Sequence, residues 1–218
     1  MLPKLLSLQQ PRSCGQGEAV RDSEHFFIVV HQSAELLLGQ VVGDLIAVAR
    51  AGERNPCDWA EVESRLTRAV GIAGLLQRHI EVLEHLPREH FHAFRAQLGT
   101  ATGGQSEQFA RIFAMLGRGE PTGSSEPGRD SGGMLEGPGG PPPAGVTEGL
   151  AALRQAMRRW QVAHIALAER MLGDAPGTGG TAGSAWLRSR LLPVPDPGSR
   201  AWSTRRACPA HIGGADPA

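Results

Sequence analysis

The sequence predicts an all-α protein with a single helical domain. Apolar residues recur at i, i+3 and i+4 spacing over stretches of about twenty residues, which is the period of an amphipathic helix. No segment shows the alternation typical of a strand, and no internal repeat is present. The 29 Gly and 16 Pro of the 218 residues are clustered. We therefore expect an ordered part of about 150 residues, as typical composition suggests.

The first long helix is predicted to follow Ser23, a suitable N-cap, so residues 1–22 form an N-terminal lead. Both faces of this helix are apolar near its start, which predicts that it is buried. The break at Asn55-Pro56 ends it, and Asp58 is the expected N-cap of a second helix that runs to Leu86.

Two shorter helices are predicted next. Pro87 begins the first of them, and a glycine-rich turn over residues 99–104 leads into the second. The apolar positions that this second helix should direct inward are Phe109, Ile112, Phe113 and Leu116.

A low-complexity insert, residues 118–146, interrupts the domain and contains almost no core-forming residues. Thr147 is the expected N-cap of the last long helix, which runs to Met171. A glycine-rich loop, Gly177–Gly183, and a short helical segment over residues 184–192 close the domain, which spans 23–192. Residues 193–218 are predicted to be a disordered tail.

Composition argues against several classes of protein. The 22 Lys and Arg equal the 22 Asp and Glu, so a nucleic-acid or acidic-partner surface is not expected. No uncharged apolar run approaches the ~20 residues of a membrane span, and the first residues lack a signal-peptide pattern. Three distant cysteines in no CxxC pair argue against zinc and against a disulfide framework, which fits a cytoplasmic protein.

The eight histidines fall into different environments. His79, His85, His90 and His92 lie among charged residues, which predicts solvated side chains. By contrast, His31 and His164 each lie on an apolar helix face. A hydrogen-bonded core histidine is the usual explanation. A haem is the alternative, because it needs one axial ligand and an apolar slot. The residues alone leave both open, with a protein-only metal centre poorly supported.

Four separated segments carry a resemblance to the tryptophan 2,3-dioxygenase family. LLSLQQPRS resembles the family's LLxxQxPxS, and FFIVVHQSAEL resembles its FIVxHQxxEL. LGTATGGQSEQF is similar to LxxASGFQSxQF, and WQVAHIALAERMLGDAPGTGGTAGSAWL to WRxRHxxxVxRxIGxxxGTGGSxGxxYL. The order matches, and the segments cover most of residues 5–117 and 150–190.

The resemblance implies an all-α haem-binding bundle that opens the indole ring of L-tryptophan with O₂ to give N-formylkynurenine. His164 would be the axial ligand of the haem iron, and His31 the distal histidine that accepts the indole N–H. Phe27 would line the indole pocket, and Thr178 would meet the amino-acid end of the substrate. The haem b would be non-covalent, because Ala168 stands where some relatives carry an attaching Cys.

Several positions depart from the family pattern. Ala110 occupies the position of the Arg that binds the substrate carboxylate, and the adjacent Arg111 should point elsewhere. The family's aromatic in SGFQS is Gly104 here, and the aromatic and Lys of its ELWxK are absent. A haem oxygenase acting on another indole or aromatic amino acid, or a haem-binding protein without turnover, therefore stays open.

The resemblance also implies a homotetramer in which N-terminal tyrosines complete a neighbouring subunit's pocket. This sequence contains no Tyr and begins roughly where that family segment would end. We therefore expect a homo-oligomer with part of that interface lost, or a start site set too late. The expected partner is a small molecule, with neither nucleic acid nor membrane.

Overall fold

A computed structural model describes residues 2–54, 56–99, 106–116, 142–173, 175–177 and 182–192. Throughout these ranges the regular structure is helical, which confirms the all-α class. The α-helices are α1 (Leu2–Leu6), α2 (Glu18–Gly52), α3 (Trp59–Glu81), α4 (Arg88–Arg95), α5 (Glu107–Met115), α6 (Ala144–Leu172) and α7 (Ser184–Arg188). Two 3₁₀ turns, Val82–His85 and Ala96–Leu98, follow α3 and α4.

The long helices α2, α3 and α6 form the centre of the domain, with α3 packed against both others. Their apolar faces bury one continuous core that includes Leu38, Leu45, Leu66, Leu76 and Met157. Where α6 crosses α3, a Cβ added at Gly149 would lie 3.2 Å from the Leu66 Cβ. A glycine therefore allows the two helices to approach closely.

A buried ion-pair cluster joins α2 to α3. Asp44 is fully buried, and its carboxylate accepts hydrogen bonds from Arg68, Arg65 and Gln40. Burial alone would raise the pKa of the Asp44 carboxyl, but the hydrogen bonds and the charge of Arg68 together lower it. The cluster fixes the register of the two helices, because an unpaired buried charge is costly.

Two predicted helix starts are wrong. α2 begins at Glu18 with Gly17 as N-cap, five residues before Ser23. The Ser23 hydroxyl instead lies 2.8 Å from His90 Nδ1 on α4. α6 begins at Ala144 after Pro143, so Thr147 lies within the helix and is not its N-cap. At α6, Pro143 sets a backbone angle compatible with a helix start, and this overrides the weaker signal of the Thr147 hydroxyl.

The start of the second predicted helix agrees with the sequence, whereas its end does not. Asp58 caps α3 by accepting a hydrogen bond from the Glu61 N–H at 3.0 Å. The second helix is shorter than predicted, because its final turn, residues 82–85, is a 3₁₀ helix. Ser106 caps α5, whose Ile112 and Phe113 are buried, as is Leu116 just beyond it, while Phe109 is half-buried.

The N-terminal lead is attached to α2 through one carboxylate. Glu24 is 1% exposed and accepts hydrogen bonds from the backbone N–H groups of Arg12 and Ser13 at 2.8–2.9 Å. α1 was not predicted, and its leucines Leu2 and Leu6 are exposed. The start of α2 is likewise less buried than predicted, since Val29 is 39% exposed.

By length and hydropathy alone, α2 is the one helix in the described ranges that could cross a membrane. Core helices of globular domains meet the same criterion. Its buried Asp44 and its contacts with α3, α4 and α5 fit a core helix. Most of the predicted insert (residues 118–141) and the predicted tail (193–218) lie outside the described residues.

Candidate functional site

A cavity of about 560 Å³ lies between α2, α4, α5, α6 and the segment around α7. Most of its wall is apolar, and its volume is within the ~300–1,000 Å³ range typical of ligand and cofactor sites. Phenylalanine rings from three helices line it, namely Phe27 on α2, Phe91 on α4, and Phe109 and Phe113 on α5. Polar side chains are few among the described lining residues, and two of them are the histidines His31 and His164.

His164 contributes to this wall from the middle of α6. Neither ring nitrogen forms a hydrogen bond within the described part of the chain. Its ring stacks on Trp160, one turn earlier, with centroids 5.0 Å apart and planes 19° apart. Burial, with a smaller effect from His31, lowers the pKa of His164 to about 4. His164 is therefore a neutral imidazole at pH 7, the form that binds a metal.

His31 contributes from α2. Its Nδ1 lies 2.8 Å from the carbonyl oxygen of Phe27. Because a carbonyl only accepts, Nδ1 carries the proton and Nε2 bears the lone pair. Burial lowers the pKa of His31, the Phe27 carbonyl opposes this, and the charge of His79 adds to it. The cavity thus contains a neutral histidine whose free nitrogen is a hydrogen-bond acceptor.

The described residues around α7 line part of the cavity, and the end of this segment is hydrogen-bonded to α6. The buried side chain of Gln161 donates to the Arg190 carbonyl and accepts from the Leu192 N–H, both at 2.8 Å. Arg158 also donates to the Leu192 carbonyl. These bonds hold residues 190–192 beside the helix that bears His164.

The glycine-rich loop reaches the same cavity through its described ends. Gly177 and Gly183 both line the wall, and Arg95 on α4 donates to the Pro176 carbonyl. Gly183 has a φ of 58°, and a Cβ there would lie 2.9 Å from the Ala175 oxygen. The last glycine of the motif is therefore required by both backbone angle and close approach.

The structure brings three of the four predicted site residues together. Phe27, His31 and His164 line one cavity, whereas Thr178 lies outside the described residues. Phe27 packs on His31 with ring centroids 4.0 Å apart. Ala110 also lines the cavity, and Arg111 does not, as the sequence predicted. Ala168, four residues after His164, is part of the wall.

Two histidines predicted to be solvated are not. His79 packs between α2 and α3, with Nε2 2.8 Å from the Ser33 hydroxyl and a buried Nδ1 that has no partner. His90 is half-buried against Ser23. Both predictions were wrong because flanking charges in the sequence do not reveal that these two rings lie between helices. His85 and His92 are exposed, as predicted.

Several wall residues were not predicted. Trp160 lies one helical turn before His164, and its buried Nε1 has no acceptor among the described groups. Phe91 and Glu35 also line the cavity, as does Arg190. Helical spacing from His31 and His164 points to Glu35 and Trp160, since residues four apart share a face. No sequence signal singles out Arg190.

The residues fit a haem. The cavity is apolar and large enough, and His164 offers a neutral, unpartnered imidazole. Ala168 supplies no thiol for a covalent bond. Within the described ranges no three His, Cys, Asp or Glu side chains come together as an alternative metal site. The arrangement suits a cofactor that brings its own iron.

Comparison with known proteins points to one family. A family model for tryptophan 2,3-dioxygenase matches residues 1–122. The tryptophan 2,3-dioxygenase of Anaeromyxobacter sp. (strain K) is 30% identical, with 88% of each chain covered. That of Herpetosiphon aurantiacus is 26% identical over 88% of this chain and 91% of its own. The rat enzyme is 33% identical over 53% of this chain and 29% of its own.

Proposed function

Because the chain belongs to the tryptophan 2,3-dioxygenase family, we propose that it is a haem-dependent dioxygenase. It inserts O₂ into the indole ring of L-tryptophan to give N-formylkynurenine, a step of tryptophan catabolism in the kynurenine pathway. The observation that carries the proposal is the joint placement of His31 and His164 in one apolar cavity.

His164 would hold the haem iron. Its imidazole is neutral and makes no competing hydrogen bond in the described part of the chain, so no bond has to be broken for the ring to bind a metal. When bound, haem b and its iron would supply O₂ binding and the oxidation chemistry. Ala168 supports a non-covalent attachment, since it provides no thiol.

His31 would orient the substrate. Its Nε2 lone pair matches an indole N–H, which only donates a hydrogen bond. Phe27 packs against His31 and holds the ring in place, with Phe91 and Phe94 behind it. Such a wall fixes the plane of an indole and keeps water from the reacting C2–C3 bond. Thr178 would contact the amino-acid end, as the family motif implies.

Further properties of the proposal depend on resemblance alone. Family members suggest a homotetramer in the cytoplasm that acts on a small molecule. The exposed leucines of α1 are compatible with burial against another copy. Light scattering of the purified protein measures the mass directly, and a monomer at micromolar concentration would contradict the tetramer.

Oxygen uptake with mass analysis of the product tests the function. We expect tryptophan-dependent O₂ consumption and a product heavier by two oxygen atoms. His164→Ala should lose most of the Soret absorbance, and His31→Ala should retain the haem but consume O₂ more slowly. An unchanged haem content and haem spectrum in His164→Ala would overturn the assignment of the ligand.

A further inference from the structure

One cationic side chain stands in the described wall of the cavity. Arg190 lines it, and no other Lys or Arg does so among the described lining residues. Its guanidinium carbon lies 5.0 Å from the centroid of the Trp186 ring, which lines the cavity as well. Within the described ranges the Arg190 side chain forms neither an ion pair nor a hydrogen bond.

The backbone of Arg190 is fixed although its side chain is exposed. Its carbonyl accepts the Gln161 amide at 2.8 Å, and Gln161 is buried one turn before His164. The Leu192 N–H binds the same Gln161 side chain. The backbone of Arg190 is therefore anchored beside the helix turn that presents His164.

The other described lining residues offer no second cation that could pair with an anionic ligand. Glu35 is the one carboxylate among the described lining residues, and Ala110 contributes no charge. A haem carries two propionates, and tryptophan carries one carboxylate. An anion at the edge of an apolar cavity is costly unless a cation is near it. The guanidinium of Arg190 is free to bind one.

We propose that Arg190 is the carboxylate-binding residue of this cavity. The inference rests on the proposed function, which supplies the carboxylates, and it assigns them a partner on the α6–α7 side in place of Ala110. A guanidinium binds a carboxylate through two parallel N–H donors. Stacking on Trp186 holds the fork before the ligand arrives, which reduces the entropy lost on binding.

Two pairs of ligands distinguish the two sources of carboxylate. Apoprotein is titrated with haem and with haem dimethyl ester, which lacks both charges, and the Soret change gives each affinity. Haem-loaded protein is then titrated with L-tryptophan and with tryptamine, which lacks the carboxylate. The variants are Arg190→Gln, Arg190→Lys and the control Arg188→Gln. Arg188 lies two residues earlier, pairs with Glu169 and does not line the cavity.

We expect Arg190→Gln to reduce the affinity ratio within one of the two ligand pairs about 5-fold, which is the size of a partly exposed ion pair. Loss of the preference for haem over its ester assigns the propionates, and loss of the preference for tryptophan over tryptamine assigns the substrate. Arg190→Lys should keep part of either preference, and circular dichroism checks that each variant is folded.

The inference is overturned if both affinity ratios, haem over its ester and tryptophan over tryptamine, change no more in Arg190→Gln than in Arg188→Gln. In that case the proposed function still stands, provided that the wild type binds haem and takes up O₂. A wild type that binds no haem overturns both together. The two failures are thus distinguished by the wild-type titration.

Discussion

At the residue scale, the environment of His164 makes a prediction about pH. Its folded pKa of about 4 is below the ordinary 6.5, so the unfolded chain binds this proton first as the pH falls. Apoprotein stability should be fully present above about pH 6.5 and decline towards about pH 4. This residue contributes at most about 3.5 kcal/mol to that loss, at about 1.4 kcal/mol per pKa unit.

Urea unfolding of the apoprotein at pH 7 and pH 4.5 measures this effect. His164→Leu should lose less stability between the two values than the wild type, although His31 and His79, whose pKa values are also lowered, keep some slope. The exposed His25 provides the control, because His25→Leu should follow the wild type. Equal losses in all three proteins would contradict a His164 that is neutral and half-buried in the cavity wall.

Ala110 makes a second prediction at this scale. It lines the cavity from α5, where the family places an Arg that binds the substrate carboxylate. Ala110→Arg should strengthen tryptophan binding about 10-fold, as expected for a charge-assisted hydrogen bond in a partly desolvated site. Tryptamine binding should not change.

Calorimetric titration with the two ligands measures the difference. Ala114→Arg is the matched control, because Ala114 lies one turn further along α5, is exposed and does not line the cavity. No gain in Ala110→Arg over Ala114→Arg would mean that Ala110 is not simply a lost carboxylate-binding position.

The limits of sequence reasoning are clear from individual side chains. Helical spacing placed His31 and His164 on apolar faces, and the structure brings both to one cavity. Helical spacing does not predict which ring nitrogen of His31 carries the proton, because that depends on the hydrogen bond to the Phe27 carbonyl one turn earlier. It also misjudged His79, whose burial depends on how α2 packs on α3. Local pattern predicts a face but not the partner opposite it.

At the element scale, the capping residues lie in or next to real helices, but they do not always mark the residue at which the helix begins. Asp58 caps α3 as expected, and Ser106, which was not predicted, caps α5. Ser23 and Thr147 do not, because a helix continues through a good capping residue whenever the preceding turn can also be helical. The apolar period is therefore the stronger signal for the element, and the cap is the weaker signal for its end.

The loop that ends at Gly183 allows a sharper test of one element. Gly183→Ala should weaken haem and tryptophan binding, because its Cβ would displace the Ala175 carbonyl and with it the cavity wall. Gly99→Ala is a matched control with the same φ of 58° and a similar ψ of −125° against −128°. A Cβ at Gly99 meets no described atom within 4 Å.

Both substitutions share the backbone strain of a sparsely populated φ/ψ region, which is about 1–3 kcal/mol. Thermal unfolding should therefore show similar losses of stability, while Soret titration should show weaker haem binding in Gly183→Ala alone. Equal haem affinity in the two variants would show that the Gly183 approach to Ala175 does not shape the site.

At the scale of the whole molecule, the cavity joins parts of the chain that are distant in sequence. α2, α4, α5, α6 and the segment around α7 each supply part of one wall. A ligand that binds this wall contacts all of them in the folded state and none in the unfolded chain. Haem should therefore stabilise the whole domain, and a single cooperative transition should shift as a unit.

Urea unfolding with and without haem gives the size of that effect. Free haem at a hundred times its Kd should raise the free energy of unfolding by about 2.7 kcal/mol. Iron-free protoporphyrin has the same apolar shape and carboxylates but no metal for His164. At the same free concentration it should therefore stabilise the protein less than haem does. In His164→Ala the two porphyrins should become equivalent. If they already stabilise the wild type equally, the contacts common to both porphyrins hold the cofactor and His164 is not its ligand.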